Sequence, residues 1–296
     1  MQQSSTGVSL SNVVAAIESL YPPATAQSWD QVGLVVGEPE QEVRTVLLAL
    51  DPTLAVVREA AAMGADLIIT HHPLLLHGIH SVAADSSKGA TVQALILDDI
   101  ALYCAHTNAD VAPDGVGHAL ADACGLHDTE PLTISEGHEL GRIGTLPQAL
   151  SLREFAEQLG QALPATASGM RVAGPPEATV SRVALLGGAG DHAFEAVVAA
   201  GADVYVTADL RHHPALEARE QARVVEDTPY LIDAGHYASE AVWLPMLQQR
   251  LAAALAETGA RLRIDISDVC TDPWTFSVPT GSTGAAGEHN PARGEE

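Results

Sequence analysis

The sequence predicts an α/β fold assembled from two related halves. Apolar, β-branched runs alternate with Ala-rich segments of helical period along most of the chain, the pattern of strand and helix in turn. Residues 46–70 also align with residues 183–207 without a gap, at a constant offset of 137, and seven of the 25 pairs are identical. Both copies contain Gly-Ala-Asp, a hydrophobic run and Thr, and adjacent histidines follow in each. This is the signature of an internal duplication.

Taken in order, Ser9 to Leu20 reads as a helix capped by Ser9 or Ser11 and stopped by Pro22 and Pro23. Val43 to Leu50 reads as a buried strand, Thr53 to Met63 as a helix ended by Gly64, and Ala65 to Thr70 as the next strand. Gly89 to Asp98 is expected to be helical, Ile100 to Ala105 a strand, and Gly115 to Cys124 a helix ended by Gly125. The second half repeats the rhythm: strand Val180 to Leu186, helix His192 to Ala200, strand Ala202 to Thr207, strand Tyr230 to Ala234 and helix Ser239 to Glu257. The expected organisation is one domain over 8–270, with repeat one at about 8–128 and repeat two at about 139–270. From 271 to 296 the composition turns to Pro, Gly, Ser, Thr and Glu, which predicts a disordered polar tail.

Composition narrows the function classes. With 47% apolar residues among 296, the chain can bury a sizeable core. No apolar run approaches the roughly 20 residues of a membrane span, and the N-terminus lacks the layout of a signal peptide, so the expectation is a cytoplasmic protein without a membrane partner. Cys104, Cys124 and Cys270 lie far apart without a CxxC pair, which argues against a disulfide framework or thiolate zinc site. A formal charge of −24, with only 14 Lys and Arg, opposes nucleic-acid binding.

The candidate functional residues sit at expected strand ends, where open α/β sheets place ligands. His71 and His72 follow a strand and precede Pro73, which biases His72 toward extended backbone. Neighbouring residues there point to opposite faces, so the pair suits either two different metals or a buried structural role. Asp110 stands four residues after His106 and reads as a ligand or as a turn residue. At an offset of 130, His236 and Glu240 face His106 and Asp110, and their i, i+4 spacing is that of metal ligands or of an ordinary helix surface. His212 and His213 echo His71 and His72, but four extra residues separate them from Thr207, which argues against a role. Trp29 reads as a core anchor, whereas Asp30 is expected to point to the seam and orient a histidine.

Together the stretches "SWDQVGLVVGEP", "DLIITHHPLL", "AHTNADVAPDGVG", "LGGAG", "GADVYVTAD" and "DAGHYASE" resemble the YbgI-like, or Nif-three-like, family, often named GTP cyclohydrolase type 2 homologues. The resemblance runs from about Val8 to Asp268. It implies two intertwined pseudo-symmetric α/β repeats with mixed sheets, a homo-oligomer in the form of a hexameric ring, and a dinuclear metal centre. His71, His72, Asp110, His236 and Glu240 match the ligand positions, while Asp30 and His106 match positions close to the site. Gln31 and Gly117 depart from the Asn common at both places, and the short stretch from Gly141 to Val180 implies that the middle domain of some members is absent.

Three imidazoles and two carboxylates suit two divalent transition-metal ions such as zinc, iron or manganese. The implied activity is metal-dependent hydrolysis of a small, nucleotide-like molecule, with a non-catalytic metal-binding scaffold or regulatory partner-binding protein as the alternative. No P-loop is present, and Arg142 and Arg211 are the obvious basic residues for a triphosphate.

Overall fold

The computed structural model of the protein describes residues 7–225 and 227–278; of the tail expected from 271, residues 279–296 lie outside them. Strand β1 (Val8–Ser9) leads into helix α1 (Leu10–Leu20), whose N-cap is Ser9, without a side-chain capping bond. Then come β2 (Gly33–Val36), β3 (Glu42–Val43), β4 (Thr45–Ala49), α2 (Leu54–Met63), β5 (Leu67–Thr70), α3 (Ser87–Leu97), β6 (Ala101–Cys104), α4 (Thr107–Asp110) and α5 (Val116–Ala123). A hairpin of β7 (His127–Ser135) and β8 (His138–Ser151) and helix α6 (Leu152–Ala162) open the second half. It continues with β9 (Arg171–Ala173), β10 (Thr179–Ala189), α7 (Phe194–Ala199), β11 (Val204–Ala208), α8 (His212–Val225), β12 (Tyr230–Asp233), α9 (His236–Ala241), α10 (Trp243–Glu257) and β13 (Arg263–Ile266).

Two mixed sheets result, ordered β13-β4-β5-β6-β2 and β7-β8-β10-β11-β12-β9. The duplication is exact in register. Val46, Leu47 and Leu48 pair with Leu67, Ile68 and Ile69 in the first sheet; Val183, Ala184 and Leu185 pair with Val204, Tyr205 and Val206 in the second, each residue shifted by 137. The repeated Asp has a repeated task. Asp66 Oδ2 accepts from the N–H groups of Arg44 and Thr45, and Asp203 Oδ2 from those of Ser181 and Arg182. Each carboxylate satisfies two donors at the start of the neighbouring strand, which is why Gly-Ala-Asp recurs. An antiparallel edge strand closes each motif, β2 on β6 and β9 on β12.

The halves exchange elements. Strand β13 from the end of the chain pairs in parallel with β4, and α10 packs against α1, while α5 from the first half packs against β8 and β10. Leu67, Ile68, Ile69, Leu102 and Tyr103 are fully buried, because both faces of the first sheet are covered. Each such side chain contributes about 1.5–3 kcal/mol. No helix among the described residues is long and apolar enough to cross a membrane.

Several elements depart from the sequence expectations, among them helices α6 and α8, which were not expected. The hairpin β7–β8 falls in a stretch too rich in Glu, Pro and Gly to read as strands; the first four residues of β7 are exposed, so no apolar alternation was required there. The expected helix Ser239 to Glu257 is divided into α9 and α10. Trp29 is not a core anchor. The loop carrying it is held outside the core by bonds from Gln27 N–H to Thr107 Oγ1 and from Ser28 to Glu136, and its indole is 53% exposed.

Candidate metal centre

The strand ends and the first turns of α4 and α9 bring His71, His72, His106, Asp110, His236 and Glu240 together at the seam between the halves. His72 Nε2, His236 Nε2 and Glu240 Oε2 form a triangle with sides of 3.0, 3.1 and 3.2 Å. On the other side of the same carboxylate, His71 Nε2 stands 3.7 Å from Glu240 Oε1 and 3.6 Å from Asp110 Oδ1. Glu240, 4% exposed, thus offers one oxygen to each group. The adjacent histidines face different oxygens of Glu240, with ring centroids 5.1 Å apart.

Every histidine of the cluster is held by its Nδ1. His71 donates to the carbonyl of Ala105 at 3.0 Å, His72 to Asp51 Oδ1 at 2.7 Å, His106 to Asp30 Oδ1 at 2.9 Å and His236 to Asp209 Oδ2 at 2.8 Å. With Nδ1–H so engaged, a neutral ring presents a bare Nε2 lone pair to the cluster. His71 Nε2 is buried without a hydrogen-bond partner, 3.6 Å or more from the nearest carboxylate oxygens. Acceptors converging on acceptors are costly unless a cation lies between them. Ligand atoms roughly 2.0–2.2 Å from one metal stand about 3.0–3.6 Å apart at ordinary coordination angles, and the triangle of His72, His236 and Glu240 falls within that range, while His71 Nε2 stands just outside it from Glu240 Oε1. Two overlapping groups have the geometry to hold a metal ion: His72, His236 and Glu240, and His71, His72 and His106. His106 therefore lies nearer the centre than a flanking position would require. Asp110, 3.6 Å from His71 Nε2, belongs to neither group, and neither do His212 and His213, exposed at the start of α8.

The duplication explains the site's asymmetry. The counterpart of His72 at an offset of 137 is Asp209, which orients His236 instead of adding a fifth imidazole. The counterpart of Asp51 is Gly188, where φ is +66° and a Cβ would lie 2.2 Å from Glu240 Oε1. One half supplies the bulk of the side chains, and the other supplies the space for them.

Carboxylates dominate the local field. Although burial opposes the charged form, hydrogen bonds to Asp51 and Glu240 push His72 up to about 10. His236 is likewise raised against burial, to about 9, by Glu240. Burial and the neighbouring Glu240 charge push the Asp110 carboxyl up. Asp30 lies well below the usual range: the bonds from His106 and Thr107 outweigh its burial.

The sign follows. Because the folded values of His72 and His236 exceed the ordinary imidazole value of about 6.5, their proton-linked stabilisation of metal-free protein is complete below about pH 6.5 and is lost as pH rises through 9 to 10. An incoming metal must displace these protons, so cation affinity is expected to climb steadily from about pH 6.5 to 9. Zinc titrations across that range, with proton release followed in weak buffer, check this; a flat affinity contradicts it.

Asp30 faces the seam and holds His106, a histidine beside the expected ligands. Its Oδ1 accepts from His106, and its Oδ2 accepts from Thr107 N–H at 3.1 Å and Thr107 Oγ1 at 2.5 Å. Trp29 meets the His106 ring edge-on at 5.9 Å. Asp30→Asn is expected to weaken metal binding by about 10- to 100-fold while the protein stays folded. Equilibrium dialysis with circular dichroism checks both halves of the statement, and unchanged metal retention assigns Asp30 to the loop alone.

A cavity of about 640 Å³ opens beside His72 and His236, with Tyr237, Trp274, Asp272 and Arg171 in its walls. Arg171 is paired with Asp233. Of the basic residues expected for a triphosphate, Arg211 is paired with Asp191, and Arg142, 7% exposed, donates to Glu139 at 2.9 Å. Neither lines the cavity. Sequence reasoning missed Asp51, Asp209 and Arg171. The first two were readable as carboxylates directly after apolar strands in "LLALD" and "VYVTAD"; Arg171 had no such signal.

Fold and site together define an α/β protein with a histidine–carboxylate centre built at the seam of a duplication. A family model for Duf34/NIF3 (NGG1p interacting factor 3) matches residues 8–273, and the chain belongs to that family. A Streptomyces coelicolor protein named GTP cyclohydrolase 1 type 2 homolog is 48% identical over 282 residues, covering 94% of this chain and 97% of the relative. A Mycobacterium tuberculosis protein of the same name is 33% identical over an alignment of 383 positions, covering 93% and 98%. That span exceeds the 296 residues here, so the relative carries sequence that this chain lacks. The crystal structure of a Bacillus cereus protein related to NIF3 superposes with a TM-score of 0.83 at 27% identity, covering 92% of this chain and all of the other.

Proposed function

We propose that the protein is a hydrolase dependent on two divalent transition-metal ions, acting on a small, nucleotide-like metabolite. The observation that carries this reading is the inward turn of the Nε2 atoms of His71, His72 and His236 around a two-sided carboxylate, each imidazole fixed by a partner on Nδ1. His71 and Asp110 would hold one ion, His72 and His236 the other, and Glu240 both; zinc, iron and manganese suit this donor set. When bound, such a pair lowers the pKa of a shared water toward neutrality and polarises the bond under attack. The chain's own contribution is orientation and exclusion. Asp51, Asp209 and Asp30 fix the ring planes, the buried His71 and Glu240 keep bulk water from one side, and the cavity beside His72 and His236 admits the substrate. The class of substrate follows the relatives' name, GTP cyclohydrolase 1 type 2 homolog. A homohexameric ring and a cytoplasmic setting complete the proposal.

The engagement of Arg142, Arg171 and Arg211 by carboxylates favours a second reading, a non-catalytic metal-binding scaffold or regulatory partner-binding protein, because a triphosphate finds few free cations there. Turnover of a metabolite panel by metal-loaded protein, set beside the His71→Ala variant, separates the two. The hydrolase reading expects hydrolysis of at least one compound, abolished by the substitution; a panel left intact by fully metallated protein favours the scaffold.

A further inference from the structure

We propose that Thr271 is a positioning residue for His72, so that the segment from Thr271 to Trp274 is a built part of the centre; this rests on the metal-binding reading above. Asp51 Oδ1 accepts from His72 Nδ1 at 2.7 Å, and its other oxygen accepts from Thr271 Oγ1 at 2.5 Å. A carboxylate bonded through one oxygen can still rotate. Bonded through both, its plane is fixed, and the imidazole that leans on it is fixed as well.

The same relay occurs a second time. Asp30 holds His106 through Oδ1 and is clamped through Oδ2 by the hydroxyl and N–H of Thr107. Thr107 lies beside His106 in sequence, whereas Thr271 comes from 220 residues beyond Asp51. The fold delivers it. Strand β13 runs parallel to β4, with Ile266 opposite Leu48, and Ser267 N–H donates to the Leu48 carbonyl at 2.8 Å. Ser267 Oγ and Asp268 N–H then bond the Glu59 carboxylate on α2. The chain is thus stitched across the end of β4, which brings Thr271 onto Asp51. The residues that follow, Asp272, Pro273 and Trp274, wall the cavity that His72 and His236 share. The stretch expected to begin a disordered tail is, at its first residues, attached to the site, because a single hydroxyl finds a half-buried carboxylate there that composition does not reveal.

Cobalt(II) titration of the full chain, followed by its d–d absorption, tests the assignment. Thr271→Val keeps the shape and removes the donor; it is expected to weaken one of the two ions about tenfold, the scale of one hydrogen bond to a charged group, and to alter that ion's spectrum while leaving the other unchanged. Thr271→Ser, which keeps the hydroxyl, is expected to restore both. A merely structural role lowers the melting temperature of Thr271→Val without moving cobalt affinity or spectrum, and that result overturns the assignment, as does a Ser variant as weak as the Val variant. Wild-type protein that takes up no cobalt overturns the metal reading itself; wild-type uptake with an unaltered Val variant overturns only the role of Thr271.

Discussion

Glu240→Ala is expected to reduce the metal content of the protein from about two ions per chain to well below one. The carboxylate faces His71 through Oε1 and the pair His72 and His236 through Oε2. In the proposed arrangement, its loss leaves two protein ligands for each ion, His71 with Asp110 and His72 with His236. Removing a residue that merely orients a ligand costs about 10- to 100-fold in affinity, so losing a ligand shared by both ions should cost at least about 100-fold at each. Asp110→Ala, in contrast, should spare the ion held by His72 and His236. Dialysis against a calibrated chelator measures both variants on one scale. An equal, single-ion loss in the two would show that Glu240 belongs to one group only.

Gly188→Ala is expected to destabilise the protein by about 2–4 kcal/mol and to displace metal at the same time. The residue has φ of +66°, which costs an L side chain about 1 kcal/mol or more, and its Cβ would lie 2.2 Å from Glu240 Oε1. Retreat is blocked. Gly188 N–H donates to Ser239 Oγ at 3.0 Å, and its carbonyl accepts from Thr207 Oγ1 at 3.0 Å. Overpacking at such a pinned position adds about 1–3 kcal/mol. Gly125→Ala supplies the control, since that glycine has φ of +68° with open space around it and should show the backbone cost alone. Urea midpoints and metal content of the two variants decide the matter; if Gly188→Ala matches Gly125→Ala in both, the close packing against Glu240 has no energetic weight.

The two halves differ in how far sequence exposed them. The central strands and their helices were legible because burial on both faces demands unbroken apolar runs: all four residues of β5 and all five of β11 are buried. The duplication was legible for a backbone reason, the repeated Asp that caps a neighbouring strand. The hairpin β7–β8 was not, since its exposed residues are free to be polar. It did carry one usable sign, Glu136-Gly137 with both φ values positive between Ser135 and His138, the two-residue turn that matches strand twist. Helix α6 likewise announces itself only through the Ser151–Glu154 capping box. Among the site residues, those within short motifs stood out in the sequence, and Asp30 lies where its place in the WDQVG loop put it, facing the seam. Thr271 was not, because what gives it a role is the pairing of β13 with β4 across the whole chain.

The central claim is that both halves of the duplication close two metal sites on one shared carboxylate. The metal-to-protein ratio of chain purified without chelator and supplemented with zinc tests it most directly. Wild type should hold about two ions, His236→Ala and Asp110→Ala one or fewer, and His212→Ala and His213→Ala two. A wild-type ratio of zero, or a loss in His213→Ala equal to that in His236→Ala, would contradict it.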